Sequence, residues 1–264
     1  VNAARFAANI GWLFTEVPIE RRFEAAAAAG FTAVEHAQPY SMPLSRWRAL
    51  LDAAGLRLVL VNTPVGEPGS PAATGWGCLP EQAGQFRVSV ERALDYAVAL
   101  DRPLVQLRAG VLPPGVSRDA ALTCFIANAH WAAERAAEAG VRLTVEALNP
   151  RDAPGYLIDT QELAAAVVAA VGHRHLGVQF DVYHCQVAQG DLTTRLTALR
   201  EVIAHVQIAD APGRAEPGSG EIRFQHVLST LGELGYEGWI GCEYRPAAGT
   251  VAGLGWRERI GGLP

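Results

Sequence analysis

Four oxygen-bearing side chains recur in the second half of the chain: Glu146, Asp181, Gln207 and Glu243. Each closes a short run rich in β-branched or aromatic residues, as in Gln179-Phe180-Asp181 and His205-Val206-Gln207. Their spacings of 35, 26 and 36 residues each match about one strand–helix unit. Taken singly, a strand-end acid serves equally well as a helix cap or a solvated rim charge. Gln207 alone could be a buried amide satisfying backbone groups. The regular recurrence favours a shared site. Three acids at one point would repel one another and bind protons unless a cation neutralised them. Two glutamates, an aspartate and an amide oxygen form an all-oxygen donor set, which suits Mg²⁺ or Mn²⁺ better than Zn²⁺.

Other residues point at the same place. His184 lies three positions after Asp181. It is either a structural histidine at a helix start or a neutral hydrogen-bond donor to a substrate oxygen, and the adjacent ligand candidate favours the second. Arg214 sits in Asp210-Ala-Pro-Gly-Arg214-Ala-Glu216-Pro, a stiff loop that could hold a guanidinium over the site. A guanidinium binds a carboxylate bidentately. Arg108 ends another apolar run and is a second candidate for the anion. Trp12 and Phe14, in the loop after the first run, would line the site and keep water out.

Four such residues converge only if their strands are parallel and closed into a barrel, whose strand C-termini surround one site. The chain reads as strand then helix throughout. Strands are expected at Arg5–Asn9, Ala33–Glu35, Leu56–Val61, Leu104–Leu107, Arg142–Glu146, Leu176–Asp181, Ala204–Ile208 and Trp239–Glu243. Pro18 and Pro43 open helices that Gly30 and Gly55 stop. A third helix spans Glu81 to Leu100. Ser117 and Thr160 cap two more, and Asp191–Arg200 and Phe224–Leu234 follow. A short helix is expected after Gly249. The Gly- and Pro-rich loop from Asn62 to Pro80 is long enough to be functional. The rival doubly wound sheet lacks its glycine signature, because Gly11 is no GxGxxG, and the polar strand ends do not cluster at one crevice. At 264 residues, the chain fits one (β/α)8 barrel domain spanning 1–264.

Composition excludes several functions. The chain contains no lysine, so Schiff-base aldolases, pyridoxal enzymes and P-loop chemistry are out. A formal net charge of −5 argues against a nucleic-acid partner. The four cysteines lack CxxC spacing and read as reduced thiols of a cytoplasmic protein. No apolar run reaches membrane-spanning length, and Val1-Asn2-Ala3-Ala4-Arg5 is no signal peptide. A homo-oligomer is compatible with the sequence, which leaves the state open.

The chain resembles the hydroxypyruvate isomerase family, within the xylose isomerase-like TIM barrels. The resemblance runs through most of the chain. It is carried by Phe6-Ala7-Ala8-Asn9 with Trp12-Leu13-Phe14, Val34-Glu35 with Pro39-Tyr40, and Leu58 to Pro64. Further carriers are Glu146 with Asn149, Asp181-Val182-Tyr183-His184, His205-Val206-Gln207, Pro212-Gly213-Arg214 and Gly241-Cys242-Glu243-Tyr244. It implies Glu146 and Glu243 as metal ligands and proton-transfer groups, Asp181 and Gln207 as further ligands, and His184 and Arg214 facing substrate. The implied reaction interconverts hydroxypyruvate and tartronate semialdehyde, a small hydroxy-carbonyl acid pair, through a metal-stabilised enediolate. A 2-oxo-tetronate isomerase or ketose 3-epimerase would use the same parts. Ala147 and Arg108 depart from the pattern, where proline and an apolar residue are usual.

Metal-dependent DNA-repair endonucleases of the same superfamily resemble the chain at Glu146, Asp181, His184 and Glu243. They need extra histidines for a zinc cluster, where this chain has Asn62 and Gln106 and no Asp-x-His pair after the seventh strand. A sugar-acid-binding barrel without catalysis is the remaining alternative, and intact Glu146 and Glu243 argue against it.

Overall fold

The computed structural model describes residues 4–261. Of the opening segment read as no signal peptide, residues 1–3 lie outside them. Eight strands form in the expected order: β1 (Arg5–Asn9), β2 (Ala33–Glu35), β3 (Arg57–Asn62), β4 (Leu104–Gln106), β5 (Leu143–Glu146), β6 (Leu176–Asp181), β7 (Ile203–Ile208) and β8 (Trp239–Cys242). Each pairs in parallel with the next, and β8 closes on β1. The result is the expected (β/α)8 barrel. Neighbouring polar residues fall into register across it: Asn9 beside Glu35, Asn62 beside Gln106, Glu146 beside Gln179 and Asp181 beside Gln207.

The outer helices are α1 (Ile19–Ala28), α2 (Leu44–Ala54), α3 (Ala83–Ala99), α4 (Arg118–Ala139), α5 (Gln161–Val171), α6 (Val182–Ala188), α7 (Leu192–Leu199) and α8 (Phe224–Glu233). The end of the chain carries α9 (Thr250–Gly253) and α10 (Trp256–Gly261), two short helices instead of one. Helix α3 buries Phe86, Val90, Ala93, Leu94 and Ala97, the stripe of a 3.6-residue period. Helix α4 buries mostly alanines, whose small side chains let its axis approach its neighbours. The caps behave as expected. Ser117 Oγ accepts from the Ala120 N–H and Thr160 Oγ1 from the Leu163 N–H.

Several boundaries shift. Strand β3 runs one residue later than expected, to Asn62. Strand β8 ends at Cys242, so Glu243 lies just beyond the ladder. Pro80–Gln82 forms a separate 3₁₀ turn before α3. Helix α6 is additional to the expected series, in which the helix after β6 begins at Asp191. It exists because Asp181 ends β6 and also caps α6: its Oδ1 accepts from the N–H groups of Tyr183 and His184 at 2.7 and 3.1 Å. No helix among the described residues is long and apolar enough to cross a membrane.

Candidate active site and metal centre

A cavity of about 380 Å³ opens among the strand C-termini and their loops. Glu146, Gln207 and Glu243 line it from β5, β7 and the end of β8, and Asp181 is fully buried at the end of β6. Ligand-capable atoms of Glu146, Asp181 and His184 lie within 4.8 Å of one another.

The two carboxylates are used in the same way. Glu146 gives one oxygen, Oε2, to the Gln106 amide N–H, and Asp181 gives Oδ1 to the first turn of α6. Their other oxygens, Glu146 Oε1 and Asp181 Oδ2, are buried without a hydrogen-bond partner among the described residues. A buried unpaired polar atom costs about 1–3 kcal/mol, and more when charged. Two such oxygens, on carboxylates that approach each other within 4.8 Å, fit a cation.

His184 is nearly fully buried, and its Nδ1 accepts the Asn149 backbone N–H at 3.0 Å. Burial, the largest effect, pushes its pKa down to about 4; Arg214 and Arg108 act in the same direction and Asp181 opposes them. The ring is therefore neutral. With Nδ1 accepting, the proton sits on Nε2, which lies 3.9 Å from Asp181 Oδ2. A protonated Nε2 donates a hydrogen bond and cannot ligate a metal. The tautomer thus separates His184 from the two carboxylates beside it.

Gln207 and Glu243 have partners for their oxygens. Gln207 Oε1 accepts from Gln179 Nε2 at 2.7 Å, and its Nε2 donates to Glu35 Oε2 at 2.8 Å. Gln179 Oε1 accepts from Thr144 Oγ1 at 3.0 Å, and Glu35 Oε1 pairs with His205. A buried polar chain thus runs from β5 to β2. Glu243 Oε1 accepts from Asn9 Nδ2 at 2.9 Å, and its Oε2 is paired with Arg214. Burial raises Glu243 to about 7, with Asp181 and Glu35 adding to the shift and Arg214 opposing it. Burial, then Asp181 and Glu243, also push Glu146 well above the carboxylate range.

Arg214 stands at φ 53°, in the left-handed region that a non-glycine residue seldom occupies. Its guanidinium carbon lies 4.4 Å from the Trp12 ring centroid and 5.2 Å from that of Tyr183. Trp12, Arg108 and Arg214 line the cavity, but Phe14 does not. The chain turns through φ 59° at Phe14, whose N–H donates to Thr250 Oγ1 at 2.7 Å, and the ring packs edge-on against Phe31 in the core. The cavity is also lined by polar residues outside the expected site, among them Glu35, Gln106, Asp152 and Gln179. Glu35 and Gln106 end β2 and β4, so the rule that singled out Glu146 applies to them as well. Gln179 shares the face of Asp181 two residues earlier.

Comparison with known proteins gives one consistent result. A family profile described as xylose isomerase-like TIM barrel matches residues 23–260. The chain is 42% identical to the 2-oxo-tetronate isomerase of Cupriavidus necator, over 96% of each chain. It is 35% identical to the hydroxypyruvate isomerase of Escherichia coli, over 96% of this chain and 98% of that one. A solved structure from Brucella melitensis, named AP endonuclease, family 2, superimposes with a TM-score of 0.93 at 38% identity, covering 97% of this chain and 98% of that one. The closed eight-stranded barrel and these full-length likenesses place the chain among the xylose isomerase-like TIM barrels and, within them, in the hydroxypyruvate isomerase family.

Proposed function

We propose that the chain is an isomerase of small hydroxy-carbonyl acids, interconverting hydroxypyruvate and tartronate semialdehyde by moving a proton between adjacent carbons. The names of its relatives support the reaction class. The observation that carries the reading is the pair of buried, unpartnered oxygens on Glu146 and Asp181 beside Glu243, a carboxylate raised to about 7.

Glu146, Asp181, Gln207 and Glu243 would hold Mg²⁺ or Mn²⁺, which when bound supplies Lewis acidity to vicinal substrate oxygens. Glu146 and Glu243 project from β5 and the end of β8, which are not neighbours. They can therefore flank a flat enediolate, one removing the proton and the same or the other returning it. His184 Nε2–H donates to a substrate oxygen and stays neutral while doing so. Trp12 covers the Arg214 guanidinium and excludes water. A carboxylate substrate also needs a cationic partner, and Arg108 and Arg214 are the two guanidinium groups that line the cavity.

A four-carbon 2-oxo-tetronate is the second substrate reading, favoured by the Cupriavidus necator relative. Ketose 3-epimerisation would use the same groups. The Brucella melitensis relative's name points to DNA repair, but the all-oxygen donor set and a net charge of −5 support a small-molecule substrate and no nucleic-acid partner. Four free cysteines support a reducing, cytoplasmic setting. The test is an activity panel of hydroxypyruvate, 2-oxo-tetronates and ketohexoses, each with Mg²⁺, Mn²⁺ and a chelator. Metal-dependent turnover of an acid is expected. Turnover of none, or cleavage of abasic DNA instead, overturns the reading.

A further inference from the structure

The two guanidinium groups of the cavity are in opposite states. Arg214 is already engaged. Its Nη2 is paired with Glu243 and lies 3.7 Å from Asp181 Oδ2, and its Nη1 lies 3.7 Å from Asp152 Oδ2. Its plane is also covered by Trp12 and Tyr183. Arg108 has no carboxylate within 4 Å among the described residues. Its Nε donates to the Thr74 carbonyl at 3.3 Å, while its two Nη groups carry no hydrogen bond among those residues.

Arg108 is nevertheless firmly held. Its backbone N–H donates to Thr63 Oγ1 at 3.1 Å, and its carbonyl accepts the Gly77 N–H at 3.3 Å. The guanidinium carbon lies 5.5 Å from the Tyr156 ring centroid. The loop between β3 and α3 straps it down. A Cβ on Gly75, at φ 131°, would lie 2.7 Å from the Arg108 carbonyl carbon, so the loop can lie this close only with glycine there. The same loop brings Thr74 to the cavity wall, where Thr74 Oγ1 is buried with no hydrogen-bond partner among the described residues. A free guanidinium fork, bonded through Nε to the backbone of a residue whose hydroxyl is unpaired, is a donor set in search of an anion.

We infer that Arg108 and Thr74 form the carboxylate-binding end of the cavity, and that Arg214 is a positioning residue that holds Glu243. This deepens the isomerase reading and rests on it for the identity of the anion, a carboxylate on a three- or four-carbon substrate. Arg108 faces the substrate's charged end through two parallel N–H groups, with the Thr74 hydroxyl donating a third bond. Arg214 acts through Glu243, whose side chain it clamps against the Asn9 amide.

The experiment measures binding of D-glycerate, an unreactive carboxylate, to chelator-treated protein by calorimetry, alongside turnover of hydroxypyruvate and of its uncharged counterpart dihydroxyacetone. Arg108→Gln is expected to weaken glycerate roughly ten- to hundredfold, the usual weight of a hydrogen-bonded charge. Thr74→Val should weaken it about three- to tenfold. Arg108→Lys, which retains the charge, should recover part of the loss and guards against a folding defect in the glutamine variant. The KM for hydroxypyruvate should rise with the glycerate Kd, with a much smaller rise for dihydroxyacetone. Arg214→Gln should lower kcat on both substrates and leave glycerate within a few-fold of wild type. The assignment is overturned if Arg214→Gln loses glycerate and Arg108→Gln does not. Turnover of neither substrate by the wild-type protein would overturn the isomerase reading alone, since glycerate binding still decides between the two arginines.

Discussion

The Glu35 carboxylate occupies the space that a side chain at residue 241 would need: a Cβ on Gly241 would lie 2.6 Å from the Glu35 carboxyl carbon. Strand β8 has a glycine there because β2 sends a buried acid across the barrel. That acid is itself fixed by Gln207 and His205. Gly241→Ala should therefore push Glu35 off both partners. Overpacking of this kind costs about 1–3 kcal/mol. Urea denaturation should show the loss, and Glu35→Ala combined with Gly241→Ala should lose less than the two single changes summed. Strict additivity would mean that the two residues do not meet.

Removing the titratable group from either glutamate separates metal holding from proton transfer. Glu146→Gln and Glu243→Gln each keep an oxygen, so cation binding should persist. Either change should cost kcat roughly 10²-fold or more. Exchange of the substrate α-proton with deuterated solvent reports which glutamate works on which face. Wild-type exchange and turnover in both variants would reduce the carboxylates to a structural role.

Cation binding can be followed without any reaction. In chelator-treated protein, added Mn²⁺ or Mg²⁺ should raise Tm in proportion to the logarithm of its concentration, as for any ligand of the folded state. Asp181→Ala removes one of the two unpartnered oxygens and should abolish most of the shift. It also deletes the α6 cap, so its starting Tm should be lower. A full Tm shift in this variant would move the cation elsewhere.

His36 gives a pH signature distinct from the site. Burial, helped by Arg22, pushes its pKa down to about 4, and its Nδ1 accepts the Gln38 N–H at 3.2 Å. The unfolded chain therefore takes up this proton at higher pH than the folded one. Stability from His36 is fully present above pH 6.5, is lost as pH falls from there to about 4, and is not lost further below. The linkage is worth about 3 kcal/mol at most. Comparing unfolding of wild type and His36→Gln at pH 7.5 and pH 4 isolates it. A pH-independent difference between the two proteins would contradict the shift.

Much of the barrel can be read from the chain because each β-strand has a polar residue at or next to the end of its apolar run. That junction marks Glu146, Asp181 and Gln207 without knowledge of any partner. Thr144 and Gln179 escape the same reading because they lie inside their strands, and their partners come from adjacent strands whose register only barrel closure fixes. Phe14 misleads for a different reason. An aromatic residue two positions after Trp12 reads as a second wall of the site, yet a left-handed turn at Phe14 swings the ring into the core. No composition rule announces that turn. The engagement of Arg214 and the freedom of Arg108 are likewise matters of distance. Both look like candidate anion clamps until Glu243 and Asp152 are placed beside one of them.

Asp181 narrows the routes by which this barrel can change under selection. One of its oxygens belongs to a helix and the other to the cavity, and a single codon controls both. Asparagine, the substitution a helix cap tolerates best, keeps α6 but replaces a charged oxygen with a neutral one. Glutamate keeps the charge but moves it one methylene too far to cap. Random mutagenesis aimed at a new substrate should thus leave position 181 untouched, while Arg108, Thr74 and the loop around them, tied to no strand end but their own, accumulate the accepted changes.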